Sequence, residues 1–441
     1  MSSFLSLRFL FLRSSTAVSS VLTGLLQTFV FARVLSPEQF SLFVLVGALG
    51  FTLLLCDLGA TKILFVRLRQ RHLDQSQEES VAAQTSAIVT LYLVLAIVGA
   101  IVCFFAMSWL RSTDWLQSLQ FALFFVFTSL NLAWFALRNV AVAVDQYVYF
   151  ESLEVTRRFL VIFATAAMLV FLPVTVFLIL INLMWIVVLT MCIQRLKAHG
   201  ALAARFHGQI HNLRHFWREN GRTLMRSSVF SVSEIYIYNS PYFFVPAFYG
   251  LGAPTIILDT AFKVFRGGSV AYSAACDIAL PRQTQAFNER DVPALIRSTL
   301  IALGLCAVPT IGASLILLFF GKQLFAFLLG PAAVMPNVVP ILIVLLVANM
   351  VQMVALSLLV HTGFFKEIAR AAPVIVVAIT LGTLFAFFVK VSIVDYMWIY
   401  AIIYSCGALI FVWLAWRGPI QTARNNIPHA AWKQNHAAAS E

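Results

Sequence analysis

FLVIFATAAMLVFLPVTVFLILINLMWIVVLTMCIQ, residues 159–194, runs for 36 positions without one charged side chain. A hydrocarbon core about 30 Å thick needs roughly 20 apolar helical residues. As one helix this stretch would extend roughly 54 Å, far too long for a single crossing. Pro173 sits near its centre and cannot continue a helical hydrogen-bond ladder, so the stretch reads as two crossings around a turn. The flanks agree: Arg157 and Arg158 precede it, and Arg195 and Lys197 follow. Basic residues collect on the cytoplasmic side of membrane proteins, so an even number of crossings separates the two clusters.

By the same length criterion twelve segments qualify, approximately 14–32, 40–65, 83–107, 118–143, 159–172, 174–194, 228–249, 255–279, 298–320, 338–360, 372–390 and 396–416. With a cytoplasmic N-terminus, 22 of the 30 Lys and Arg residues fall in inside segments. Four (Arg33, Arg111, Lys322, Lys390) fall outside, and four (Lys62, Arg138, Lys263, Arg266) lie within spans. That bias places both termini in the cytoplasm. Composition agrees, with 61% hydrophobic and 11% charged residues and a mean hydropathy of +0.91. A soluble domain is about a quarter charged, so this is a polytopic all-α membrane protein. The net charge of +12 is explained by its loop placement, and no nucleic-acid partner is expected. No A-x-A cleavage site follows Leu5 to Val21, so the first hydrophobic stretch is expected to remain as a helix. Six cysteines lie in apolar runs without a CxxC spacing, which makes them small core residues with no disulfide or zinc role.

The expected organisation is a six-helix half (1–194), a basic cytoplasmic linker (195–227), a second six-helix half (228–416) and a cytoplasmic tail (417–441). The halves open alike. Arg33-Val34-Leu35-Ser36-Pro37 precedes a span with Asp57 and Lys62, and Gly250-Leu251-Gly252-Ala253-Pro254 precedes one with Asp259 and Lys263. Internal repeats of this kind place a substrate site between them. In the linker, Leu202, Phe206, Ile210, Leu213 and Trp217 recur at helical spacing opposite arginines, as in a helix lying on anionic membrane lipid. His207, His211 and His215 lack a completing ligand, so no metal and no cofactor is expected.

Ionisable groups inside a span are costly and mark function. On the eighth span, taking Asp259 as zero, Lys263 falls at about +40°, Arg266 at about −20° and Asp277 at about 0°. One reading is a cationic, water-filled cavity; the other is a ladder in which Asp259 pairs Lys263 at i,i+4. The seventh span carries Ser228, Ser231, Ser233, Glu234, Tyr236, Tyr238, Asn239, Ser240 and Tyr242. Its hydroxyls, amide and rings suit a sugar. Glu234 is either a proton or sodium carrier or a salt-bridge partner of Arg266 or Lys263. Asp57 needs a partner on another helix or a proton, since Lys62 points about 140° away.

Ala32-Arg33-Val34-Leu35-Ser36-Pro37-Glu38-Gln39-Phe40, with Asp57-Leu58-Gly59 closing the second span, resembles the opening of the Wzx-type polysaccharide flippases of the MOP (MATE-like) superfamily. Phe320-Gly321-Lys322-Gln323-Leu324 and Leu329-Gly330 are similar to their second-half pattern, and Ser41 stands where that family usually has glycine. The resemblance implies about 12 helices in two halves around a central cavity. It implies a flippase moving a polyprenyl-pyrophosphate-linked oligosaccharide, an O-antigen or exopolysaccharide repeat unit, to the outer leaflet of the bacterial inner membrane by alternating access. Arg266 and Lys263 would then grip the pyrophosphate, beside Glu234, Tyr238, Asn239 and Asp259, with Asp57 or Glu234 coupling an ion. Polysaccharide polymerase or assembly proteins would be partners. The rival is a multidrug or organic-cation antiporter of the same superfamily, which would want an unpaired acid. G-x-x-x-x-G-K-[ST], H-E-x-x-H and G-x-S-x-G are absent, so ATP hydrolysis and enzyme chemistry are not expected.

Overall fold

The computed structural model describes residues 7–73, 79–110, 113–203, 209–330 and 338–424, and every regular element among them is helical. α1 (Leu7–Val34) and α2 (Pro37–Thr52) meet at a tight turn. Ser36 is extended there, its hydroxyl accepts from the Gln39 N–H, and the Gln39 side chain accepts from the Ser36 N–H. This reciprocal cap, with Pro37 in the first turn, starts α2. A 3-10 turn, Leu53–Asp57, prolongs α2. Leu58 (φ 45°) and Gly59 (φ 82°) then turn left-handed, and α3 (Ala60–Leu73) leaves in a new direction. The second apolar crossing therefore ends at Asp57 rather than near residue 65.

α4 (Glu79–Leu110) precedes α5 (Trp115–Ser129) and α6 (Asn131–Ala143), which form one bent crossing. α7 (Tyr147–Ala167) and α8 (Val174–Ala198) flank Pro173, the residue that caps α8. The Arg195 guanidinium near the end of α8 donates to Gln146, beside the start of α7, at 3.0 Å. The two helices are thus an antiparallel hairpin, as length and charge required. α9 (Gln209–Tyr249), α10 (Ala253–Glu289), α11 (Val292–Leu329), α12 (Val339–His361), α13 (Phe365–Val389) and α14 (Ile393–Ala415) follow. α9 is continuous over 41 residues, so Ile210, Leu213 and Trp217 of the expected linker helix share one element with the expected seventh span, whereas Leu202 precedes it and Phe206 and His207 lie outside the described residues.

Nine helices among the described residues are long and apolar enough to cross a membrane. The other three expected spans lie in α7, α9 and α10, which are long enough but rich in charged and polar residues. The apolar helices show a one-sided greasy face: on α4, Val94, Ile97, Val98, Ile101, Val102 and Phe105 are all exposed. A soluble protein would bury such a stripe, whereas in lipid it is the surface.

Two compact units divide the chain, Met1–Lys263 with Gln323–Met335, and Val264–Lys322 with Pro336–Glu441. In the first, α1 packs on α7, α2 and α4 on α5, and α9 on α2 and α4. Gly50 makes the α2–α5 approach possible, since a Cβ there would lie 2.9 Å from Thr128 Cβ. In the second, α14 packs on α12 and α13.

Charged side chains at one end of the first unit are tied together. Arg67 on α3 donates to Glu219 on α9 at 3.1 Å, and Arg69 donates to Asp145 at 2.9 Å. Burial pushes the Glu219 carboxyl up, but hydrogen bonds from Arg67 and Gln84, with the Arg67 and His215 charges, hold it below its usual range. These are residues expected inside by the charge bias. A cysteine placed at Ser36 should label with an impermeant maleimide from outside, and cysteines at His211 or Gln421 should not. Outside labelling at Gln421 would give an odd span count.

Candidate functional site

Asp57 ends the 3-10 turn and is 7% exposed. Its carboxylate accepts from the Gly59 N–H and the Thr61 N–H, each at 3.1 Å, from the Thr61 hydroxyl, and from the Tyr92 hydroxyl of α4 at 2.7 Å. The partner that Asp57 needs on another helix is therefore Tyr92. Four donors make the acid an N-terminal cap of α3, with the left-handed Leu58–Gly59 pair bending the chain back to reach it. Asp57→Ala should lower stability by about 0.5–2 kcal/mol for the cap, with a further ~1–3 kcal/mol for the stranded Tyr92 hydroxyl. Thermal unfolding in detergent, with Tyr92→Phe as the milder comparison, checks this. Loss of transport in Asp57→Asn at unchanged stability would assign the residue to ion coupling instead.

Glu234 is half-buried on α9. Its carboxylate has no hydrogen bond or ion pair among the described residues, and the charge that acts on it is Lys62. The Lys62 ammonium lies 5.2 Å from the centre of the Phe230 ring, one turn before Glu234. This placement follows from the packing of α9 on the Leu53–Asp57 turn and on α4. The sequence offered Arg266 or Lys263 as its partner, or a proton or sodium role; the charge acting on Glu234 in the fold is that of Lys62.

Lys263 is occupied within its own helix. Its ammonium pairs with Asp259 at 2.6 Å and donates to the Thr28 hydroxyl of α1 at 2.9 Å. Its stem runs along Gly24, and its charge lies 5.9 Å from the Phe40 ring. The Tyr242 hydroxyl donates to Asp259 at 3.4 Å. Asp259 is buried and Lys263 half-buried, so the i,i+4 ladder is the arrangement adopted and the pair is electrically neutral. Tyr238 is half-buried on α9 and Asn239 is buried, and both have interaction partners.

Arg266, in the second unit, is half-buried between the enclosed Phe265 and a Gly267–Gly268 pair, and it too is engaged. The polar centre of this unit is Asn349, fully enclosed on α12. It donates to the Ser269 hydroxyl at 2.7 Å and accepts from the Tyr404 hydroxyl at 3.3 Å.

Sequence reasoning passed over the acids of α7. Glu151 accepts from the Thr16 hydroxyl at 2.9 Å, pairs with Arg13 at 3.4 Å and has Arg138 at 3.6 Å. Glu154 takes a fork of hydrogen bonds from Arg157 at 2.8–2.9 Å and pairs with Arg158. The Arg157 guanidinium also stacks 3.9 Å from the Trp185 ring of α8. An i,i+3 acid beside two arginines was the available local signal; the contacts to α1 were not local. Among the described residues no cluster of three or more His, Cys, Asp or Glu side chains could hold a metal.

No protein-family model and no curated protein matches the sequence. Solved structures do match in fold. A MOP superfamily transporter from Pyrococcus furiosus, described as having a binding pocket of reversed polarity, aligns with TM-score 0.66 and 14% identity over 95% of each chain. An inward-facing multidrug-resistance MATE transporter aligns with TM-score 0.63 and 14% identity, over 95% of this chain and 99% of that one. A eukaryotic MATE transporter aligns with TM-score 0.58 and 14% identity, over 96% and 97%. The fold is that of the MATE and MOP superfamily transporters.

Proposed function

We propose that this chain is a transporter that carries an anionic, lipid-linked oligosaccharide from the cytoplasmic to the outer leaflet of a bacterial inner membrane by alternating access. The observation that carries this reading is Arg266. A guanidinium half-buried in the middle of α10 is expensive inside a membrane, and such residues mark substrate paths. Unlike a lysine it cannot shed its charge, and its planar fork matches the paired oxygens of a diphosphate. Lys263 contributes less than the sequence suggested, because Asp259 neutralises it. The hydroxyls and amide of Tyr236, Tyr238 and Asn239 on α9 supply sugar-binding chemistry. The opening residues that resemble the polysaccharide flippases, Ser36–Pro37 and Asp57–Gly59, support the same family through the turns they build.

A second reading has its own observation. Glu234, without a hydrogen bond or ion pair among the described residues, is the acid a proton-coupled cation antiporter would use. The MOP relative with a reversed-polarity pocket means that sign of charge must be tested rather than inherited from the fold. Purified protein should bind a polyprenyl pyrophosphate, lose that binding in Arg266→Ala and keep it in Glu234→Gln. Binding of tetraphenylphosphonium with proton release, abolished by Glu234→Gln, would replace the flippase with the antiporter.

A further inference from the structure

Cys276 on α10 and Cys306 on α11 meet at one turn of α10. The Cys306 thiol donates to the Tyr272 carbonyl at 3.7 Å, one helical turn before Cys276. The Cys276 thiol donates to the Met353 carbonyl of α12 at 3.9 Å. Both thiols lie in one enclosed cluster with Tyr272, Ala275, Ala279, Ala302 and Val354. Both are enclosed, at 4% and 0% exposure, and Met350 and Met353 pack against them. The remaining cysteines, Cys56, Cys103, Cys192 and Cys406, lie on other elements, and all six are free thiols.

We propose that Cys276 and Cys306 form a two-thiol site that captures a trivalent arsenical, with one arsenic bridging both sulfurs. The chemistry balances without an oxidant. Two As–S bonds form, the As=O bond breaks, and the oxygen leaves as one water carrying both thiol protons; no electron is transferred. The product is uncharged, which suits an apolar enclosure. A monovalent soft ion such as Cu(I) held by two thiolates would leave a net negative charge there, at a high desolvation cost. Because the fold already holds the second thiol beside the first, the second bond forms intramolecularly. The gain over a single thiol is then roughly 10²–10⁴-fold. The bridge would join α10 to α11 inside the second unit, and it does not depend on which substrate the protein moves.

The test uses the full-length chain in detergent with Cys56, Cys103, Cys192 and Cys406 replaced by serine, titrated with phenylarsine oxide and read by intact mass. One phenylarsenic per chain should add, with loss of both free thiols. 2,3-dimercaptopropanol should reverse it, and 2-mercaptoethanol at equal thiol concentration should not. Cys276→Ser and Cys306→Ser should each weaken capture by about 10²-fold. If the four-serine protein does not fold, the same titration on the wild-type chain, mapped by peptide mass, locates the bridged residues. Equal capture by either single-serine variant, two arsenicals per chain, or capture only after denaturation would overturn the proposal.

Discussion

Arg266→Ala is expected to cut transport of the lipid-linked glycan by a large factor while the protein stays in the membrane at its normal level. Removing one partner of a desolvated, hydrogen-bonded charge pair costs about 2–5 kcal/mol. At 1.4 kcal/mol per tenfold, that is roughly 30-fold to several thousand-fold in binding. Folding should survive, because deleting a charge from a membrane helix also removes its desolvation cost. Arg266→Lys should recover only part of the activity, since an ammonium offers a point charge where the guanidinium offers a fork. Export from cells or flipping in reconstituted vesicles, normalised to protein level, measures both. Full activity in Arg266→Ala would move the substrate grip elsewhere, and loss of the protein itself would make Arg266 structural.

The largest effect on stability is expected at Glu154. Its side chain and that of Arg157 are 5% and 6% exposed and share a fork of hydrogen bonds. Glu154→Ala leaves the Arg157 charge enclosed with its acid gone, a change that costs about 3–5 kcal/mol. The Trp185 ring beneath the guanidinium offsets only part of that. Adding Arg157→Leu to Glu154→Ala should restore part of the loss, because it removes the enclosed unpaired charge, although the smaller pair leaves a cavity. The unfolding midpoint in detergent, read as a double-mutant cycle, decides the matter. An unshifted midpoint in Glu154→Ala would mean that Arg158 or water already satisfies Arg157.

Much of the architecture was legible because lipid imposes a length and a charge rule on any chain that crosses it. Residues 159–194 had to be two helices, and Pro173 had to sit at the turn; the Arg195–Gln146 contact shows the hairpin closed at that end. Ser36-Pro37 with Gln39 spelled a helix start through local chemistry alone. The Asp259–Lys263 pair was legible as one of two alternatives, because i,i+4 spacing brings such side chains together without help from the fold.

Other features depended on which helices became neighbours. α9 continues without interruption from Gln209 to Tyr249, because a helix satisfies its own backbone. Asp57 became a cap only once Leu58 and Gly59 turned left-handed and α4 brought Tyr92 alongside. Glu151 came to Arg13 and Thr16, and the Lys62 charge came to act on Glu234, across separations no local pattern encodes. The sequence by itself determined which segments are apolar enough to cross and where basic residues collect, since those follow from hydropathy and charge summed along one segment. Tertiary structure decided which charges are neutralised, since an ion pair is a short-range interaction between side chains that only packing brings within a few ångströms.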